Sequence, residues 1–368
     1  MIRVLHVFSL TNRGGAETMI MNYYRNIDRS KIQFDFVNHT TKECAYDKEI
    51  LSMGGRIFHI PQYKGYNHFQ YRKAWKMLFK AHSEYKIIHI HYFSLAGAIV
   101  DIAKTCGVKV RITHVHSVGT YASRFNLRFI MVQLLKPWML KYSTHFFACG
   151  EKAGESYFGK MRKCKVIPNA INTTYFLPNQ EFYYNFRQKL NIPNNALVLG
   201  HVGRFVGVKN HLFLLEIFEK LRRKYPNSYL VMVGSGELFS EIKEKIILLG
   251  LSDWVRLVGI QSNVHEWLQV FDVFVMPSIL EGFPVSVVEA QAAGLPCVVS
   301  DVIDKTVNIT GNVAFVPLAA GVDVWIEAIV KSRKEDCKNS FNKIKESEYD
   351  IKRATRQMID FYEDAYNV

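Results

Sequence analysis

Short apolar runs alternate along the whole chain with stretches in which apolar residues recur every three to four positions. The runs are apolar at successive positions, as in strands covered on both faces. They predict strands near 2–8, 32–37, 56–60, 87–91, 109–114 and 145–148, and again near 196–202, 229–233, 255–258, 273–276, 297–299 and 313–316. The longer period predicts helices near 15–27, 69–82, 94–105 and 125–142, then near 209–224, 238–249, 263–270 and 285–294. The stretch 321–366 reads as wholly helical. Strand and helix alternating in this way define an α/β class built on parallel sheets.

The alternation pauses at Ile167-Pro168-Asn169-Ala170-Ile171-Asn172, before a polar segment with Pro178, Asn179 and Gln180. A chain of 368 residues is expected to form two domains. The division falls at 1–167 and 168–349, each half Rossmann-like, with a cleft expected between them.

Composition changes this picture little. Hydrophobic residues make up 49% and charged residues 22%, as in ordinary soluble proteins. The start, MIRVLHVFSL, reads as a buried first strand and not a signal peptide, and no apolar run reaches the length of a membrane span. Cys44, Cys106, Cys149, Cys164, Cys297 and Cys337 form no CxxC pair, so reduced thiols and a cytoplasmic setting are expected. Charge is more telling. Residues 1–165 hold 26 Lys and Arg against 10 Asp and Glu, and residues 166–368 hold 21 against 23. The first half therefore carries the whole excess of +14, which calls for an anionic partner such as a lipid headgroup or a lipid diphosphate. No nucleic-acid-binding module is recognisable, so a nucleic-acid partner is not expected.

The candidate chemistry gathers at predicted strand ends. Between two apolar runs lies PSILEGFPVSVVEAQAAGLPCVVSD, residues 277–301, in which Glu281 and Glu289 bracket the Gly282-Phe283-Pro284 turn. Ligands of open α/β sheets bind at such strand-to-helix turns. Pro284 suits the first helical position, the free amides of a helix start favour anions, and a carboxylate accepts hydrogen bonds from a sugar diol. Gly203-Arg204, with Lys209 five residues on, places two cations where a diphosphate would sit. Gly14-Gly15-Ala16-Glu17 opens the first helix, and Gly234-Ser235-Gly236-Glu237 follows a strand but lacks the third glycine of a dinucleotide fingerprint, so it reads as a close-approach loop without NAD or FAD. In His114-Val115-His116-Ser117 the two imidazoles share one side of a strand. No further ligand for a metal is evident nearby, so His114 reads as a satisfied core histidine and His116 as the one placed to touch a ligand. Asn126–Tyr142 is apolar with interspersed cations and is expected to kink or break at Pro137, with Trp138 a candidate membrane contact. Arg72, Lys73, Lys76 and Lys80 make a second basic face.

Taken together, these residues resemble the retaining glycosyltransferases of family 4, with the GT-B fold of two facing Rossmann-like domains, and among them the enzymes that build bacterial capsule or exopolysaccharide. The resemblance implies that Arg204 and Lys209 hold the donor diphosphate, that Glu289 binds the ribose, and that Glu281 with the backbone of Gly282, Phe283 and Pro284 positions the donor sugar. It implies that Gly14 and Gly15 approach the donor or acceptor, with Gly203, Gly234 and Gly236 also on the donor side, and that His116 hydrogen-bonds the transferred sugar. It further implies that no cofactor or metal is required, that a nucleotide diphosphate sugar such as a UDP-sugar is the donor, and that the C-terminal helix from about 350 packs back on the first domain. A saccharide, linked to a lipid diphosphate, is the expected acceptor, and the basic first domain the expected contact with an anionic membrane at its cytoplasmic face. Two departures stand out: the linker has Ala170 and Asn172 where the family has Gly and Asp, and the Phe205–Val208 segment lacks the family's acids. The rival enzymatic reading is a GT-B nucleotide-sugar 2-epimerase, and the rival from another class is a basic nucleic-acid-binding protein.

Overall fold

The structure is a computed structural model that describes residues 1–116, 127–332 and 337–367, with backbone alone at 127–128 and 337–338. Ser117, Asn126 and the Cys337 thiol lie outside the described residues. The chain divides into two compact units, residues 1–170 with 351–368, and residues 171–350.

The first unit holds a seven-stranded parallel sheet of β1 (Ile2–Val7), β2 (Ile32–Asn38), β3 (Ile57–His59), β4 (Ile87–Ile90), β5 (Val110–Val115), β6 (His145–Ala148) and β7 (Lys165–Val166), in the order β3-β2-β1-β4-β5-β6-β7. The second holds six parallel strands, β8 (Leu197–Val202), β9 (Ser228–Val233), β10 (Val255–Gly259), β11 (Val273–Met276), β12 (Cys297–Ser300) and β13 (Val313–Val316), in the order β10-β9-β8-β11-β12-β13. The units thus repeat one plan, with the strand order reversing direction beside β1 and beside β8. Each sheet has an apolar core on either face. That is why runs such as Ile87–Ile90 and Val273–Met276 are buried at every position.

Three local expectations need correction. The helix Leu127–Tyr142 runs on through Pro137. It is clamped by the helix Ala96–Thr105, which approaches so closely that a Cβ on Gly97 would strike the Leu135 carbonyl. The helical stretch near the C terminus breaks at 347–350, between the helices Cys337–Glu346 and Ile351–Tyr366. There the Tyr349 carbonyl accepts a 2.9 Å bond from the Ile171 amide, and Asp350 accepts one of 2.7 Å from the Thr173 hydroxyl. The polar segment after the linker forms a helix, Gln180–Lys189, whose first amides donate to the Asn179 side chain. The helix Ile351–Tyr366 belongs to the first unit, where Met358 and Tyr362 are buried.

Candidate active site

The carboxyl ends of β8 and β11 part at the reversal point of the second sheet. Beyond β8 the chain passes Gly203 and Arg204, makes a tight turn over Gly207–Lys209, and turns through Asn210, a left-handed residue at φ 57°, into the helix His211–Lys224. Lys209 Nζ lies 2.5 Å from Glu281 Oε1, and the Ser278 hydroxyl donates to the same carboxylate oxygen at 2.9 Å. Both partners are largely buried, with 17% and 12% of their side chains exposed. The two loops are tied by the Ile279 amide donating to the Val208 carbonyl at 2.8 Å, and Ser278 is pinned by the Ser300 hydroxyl at 2.6 Å. Arg204 is exposed and has no side-chain partner among the described residues.

Pro284 stands one position earlier than expected. It is the cap, with extended backbone, of the helix Val285–Ala292, and no side chain caps that helix. Its first amides are therefore open to an anion. The Phe283 ring is packed away against Tyr349, stacked at 4.9 Å, so its backbone is what faces the turn. Glu289 is half-buried on the same helix, and loss of water pushes its carboxyl up to about 7.

The glycines of the second unit are explained by close backbone approach. A Cβ on Gly234, at φ +135°, would fall on the Gly203 carbonyl, and one on Gly236 on the Phe205 carbonyl. A side chain at Gly203 would come within 3.1 Å of His201 Nε2 and 3.5 Å of the Lys209 side chain. Two buried histidines beneath this loop escaped the sequence reading. His201 donates from Nδ1 to the Val275 carbonyl at 2.9 Å, and His211 starts the next helix with neither ring nitrogen bonded. Burial holds both in the neutral form, with His211 lowered to about 4 and Lys209 adding to the effect. The only sequence signal was a polar residue inside an apolar strand.

In the first unit Gly14 caps the helix Gly15–Asn26. The Glu17 carboxylate folds over Gly14, while Gly15 faces open space. His116 follows β5 and belongs to a column of five imidazoles on three neighbouring strands, with His6 on β1, His89 and His91 at the end of β4, and His114 on β5. The rings of His114 and His116 stack at 4.1 Å on one side of their strand. His114 is not fully satisfied, since its Nε2 is buried without a partner.

Family-level matches agree with this geometry. The family described as "Glycosyltransferase Family 4" matches residues 13–175, and "Glycosyl transferases group 1" matches residues 183–313. The Bacillus subtilis (strain 168) protein named "Putative glycosyltransferase EpsF" is 38% identical over 336 residues, covering 90% of this chain and 87% of its own. An Escherichia coli protein named "UDP-Gal:alpha-D-GlcNAc-diphosphoundecaprenol alpha-1,3-galactosyltransferase" is 25% identical over 354 residues, covering 93% and 90%. Among solved structures, Anabaena Alr3699/HepE in complex with UDP and glucose superposes with a TM-score of 0.78 at 15% identity, covering 99% of this chain and all of that one. With two Rossmann-like sheets of one plan and both halves matched, the chain belongs to the family 4 glycosyltransferases of the GT-B fold.

Proposed function

We propose that this glycosyltransferase moves a hexosyl group from a nucleotide diphosphate sugar, a UDP-sugar, to a hydroxyl of a lipid-diphosphate-linked saccharide, with the anomeric configuration retained, in capsule or exopolysaccharide assembly. The observation that carries this reading is the Lys209–Glu281 pair, joined at 2.5 Å where β8 and β11 part. Arg204 and Lys209 bind the diphosphate, helped by the uncapped amides of the helix Val285–Ala292. Glu281 and the Gly282–Pro284 backbone orient the sugar, and Glu289 accepts hydrogen bonds from the ribose diol. Gly203, Gly234 and Gly236 let the donor-side loops pack without side chains. Gly14, Gly15 and His116 are the first unit's candidates for contact with the donor. UDP in the HepE complex and the donor and acceptor in the E. coli relative's name support the choice of ligands.

In the reaction the bond from the anomeric carbon to the diphosphate oxygen breaks. The acceptor oxygen bonds to that carbon on the same face, and the acceptor proton passes to the departing diphosphate. Positioning and neutralisation of the leaving charge supply the rate.

Membrane contact fits the surface of the first unit. The helix His68–Ala81 exposes Phe69 and Met77 among Lys73, Lys76 and Lys80, and the helix Leu127–Tyr142 exposes Ile130, Leu134 and Trp138 along one stripe. No described helix is long and apolar enough to cross a membrane. An interfacial, salt-sensitive association at the cytoplasmic face follows.

A thermal-shift panel of nucleotide sugars tests the donor, since a ligand at a hundred times its Kd adds about 2.7 kcal/mol. Product analysis with a lipid-diphosphate saccharide then tests transfer. If no nucleotide sugar stabilises the protein, or if donor alone yields an epimer, the reading fails.

A further inference from the structure

The imidazoles of the first unit form two hydrogen-bonded rows. In one, His6 Nδ1 meets His91 Nε2 at 3.0 Å and His91 Nδ1 meets His116 Nε2 at 2.8 Å. In the other, the Tyr362 hydroxyl meets His89 Nδ1 at 2.6 Å and His89 Nε2 meets His114 Nδ1 at 3.1 Å. Three ring nitrogens at the ends of these rows, on His6, His114 and His116, are buried with no partner. Unpartnered buried polar atoms are costly, and His114 Nε2, on a ring whose Nδ1 is already bonded to His89, is free to take a ligand.

We propose that His91, His114 and His116 bind one divalent transition-metal cation of the zinc, cobalt(II) or nickel kind. One nitrogen from each of these rings lies within 4.8 Å of the others. A tetrahedral ion with metal–nitrogen bonds of about 2.0–2.1 Å requires nitrogens roughly 3.3 Å apart. The 2.8 Å His91–His116 pair therefore has to open by about half an ångström on metal entry, and a pair at the 4.8 Å limit has to close by about 1.5 Å.

Proton counting gives the same assignment. The cation takes His91 Nδ1, His114 Nε2 and His116 Nε2. The proton between His91 and His116 moves to His116 Nδ1, the nitrogen that lacks a partner. His91 then donates from Nε2 to His6, and His114 donates from Nδ1 to His89, which donates in turn to Tyr362. Every ring stays neutral, no proton leaves the cluster, and two of the three ligands gain the outer hydrogen bond that orients metal-bound histidine. The alternative triad of His6, His89 and His91 would have to break a bond of His89, to Tyr362 or His114, as well as one of His91, whereas the chosen triad breaks only the bond between His91 and His116. The two triads share His91, so the stoichiometry is one.

The test is a cobalt(II) titration of tag-free, chelator-stripped protein, with zinc added in competition. The expected result is one equivalent per chain, with the visible absorption of four-coordinate cobalt, at least tenfold weakened by His116→Ala and by His114→Ala and unchanged by His59→Ala, an exposed histidine. Because His114 is a core residue, His116→Ala is the deciding variant once its melting curve matches the parent's. X-ray absorption on the parent protein, counting three imidazoles, decides the matter without any variant. No saturable equivalent, or undiminished binding in His116→Ala, would overturn the assignment. Neither readout depends on transferase activity.

Discussion

The two units build the same sheet and end it in different chemistry. At the carboxyl edge of the first, five neutral imidazoles stack between strands, within a half that carries all the excess positive charge on its outside. At the matching edge of the second, in a half with slightly more acids than bases, an ammonium and a carboxylate pair at 2.5 Å. The plan of the fold settles where chemistry can be placed, and a handful of side chains settle what it is.

The largest test of this division concerns stability. Arg187 is fully buried and holds the carbonyls of Pro193, Asn194, Ala196 and Val270 together with Asp272. Removing it in Arg187→Ala should destabilise the second unit by about 3–5 kcal/mol. Hydrogen exchange read by mass spectrometry should show protection lost in residues 171–350 and kept in β1–β6. Equal loss in both units would break the comparison. Next comes catalysis: Lys209→Ala is expected to lower kcat by about a hundredfold to a thousandfold while a cooperative melting transition persists.

A smaller effect, a few degrees in Tm, has opposite signs in the two units. Burial lowers His39 to about 4, where it bonds the Phe8 carbonyl and the Tyr71 hydroxyl. An unfolded histidine gains its proton near pH 6.5, so the stability contributed by His39 is complete above that pH and is lost as pH falls toward 4. The advantage of wild type over His39→Gln should shrink across that window. Glu289 is raised from 4.5 to about 7, so its contribution is complete below pH 4.5 and is lost as pH rises through 7. Glu289→Gln should therefore gain on wild type between pH 5 and 8. Thermal melts at stepped pH measure both. The smallest effect is at the surface: each of Lys73, Lys76 and Lys80 changed to Ala should weaken binding to anionic vesicles by about 1 kcal/mol, with the loss erased by high salt.

Strands and long helices were legible from sequence because a parallel strand must be apolar at every position and a covering helix on one face only. The run Val273–Met276 and the turn after it needed no tertiary knowledge. The helix Gln180–Lys189 was hidden by Pro178 and Asn179, which look like linker, although Asn179 acts as its cap. The break at 347–350 is made by hydrogen bonds to Ile171 and Thr173, partners that no local window contains. The same limit applies at the site. Lys209 and Glu281 were each visible, but their contact depends on β8 and β11 being neighbours. The histidine column is spelled in the alternation of His89 with His91 and His114 with His116, yet only the order of β1, β4 and β5 gathers those four with His6.

The helix Ile351–Tyr366 follows the second unit in sequence, yet it completes the first and sets the Tyr362 hydroxyl on His89. Domains ordinarily fold in the order in which the ribosome makes them. Here residues 171–350 are complete while the earlier domain still waits for its last wall. The half started first is finished last, and a nascent chain halted at Asp350 would carry one closed domain and one whose histidine row still lacks its phenol.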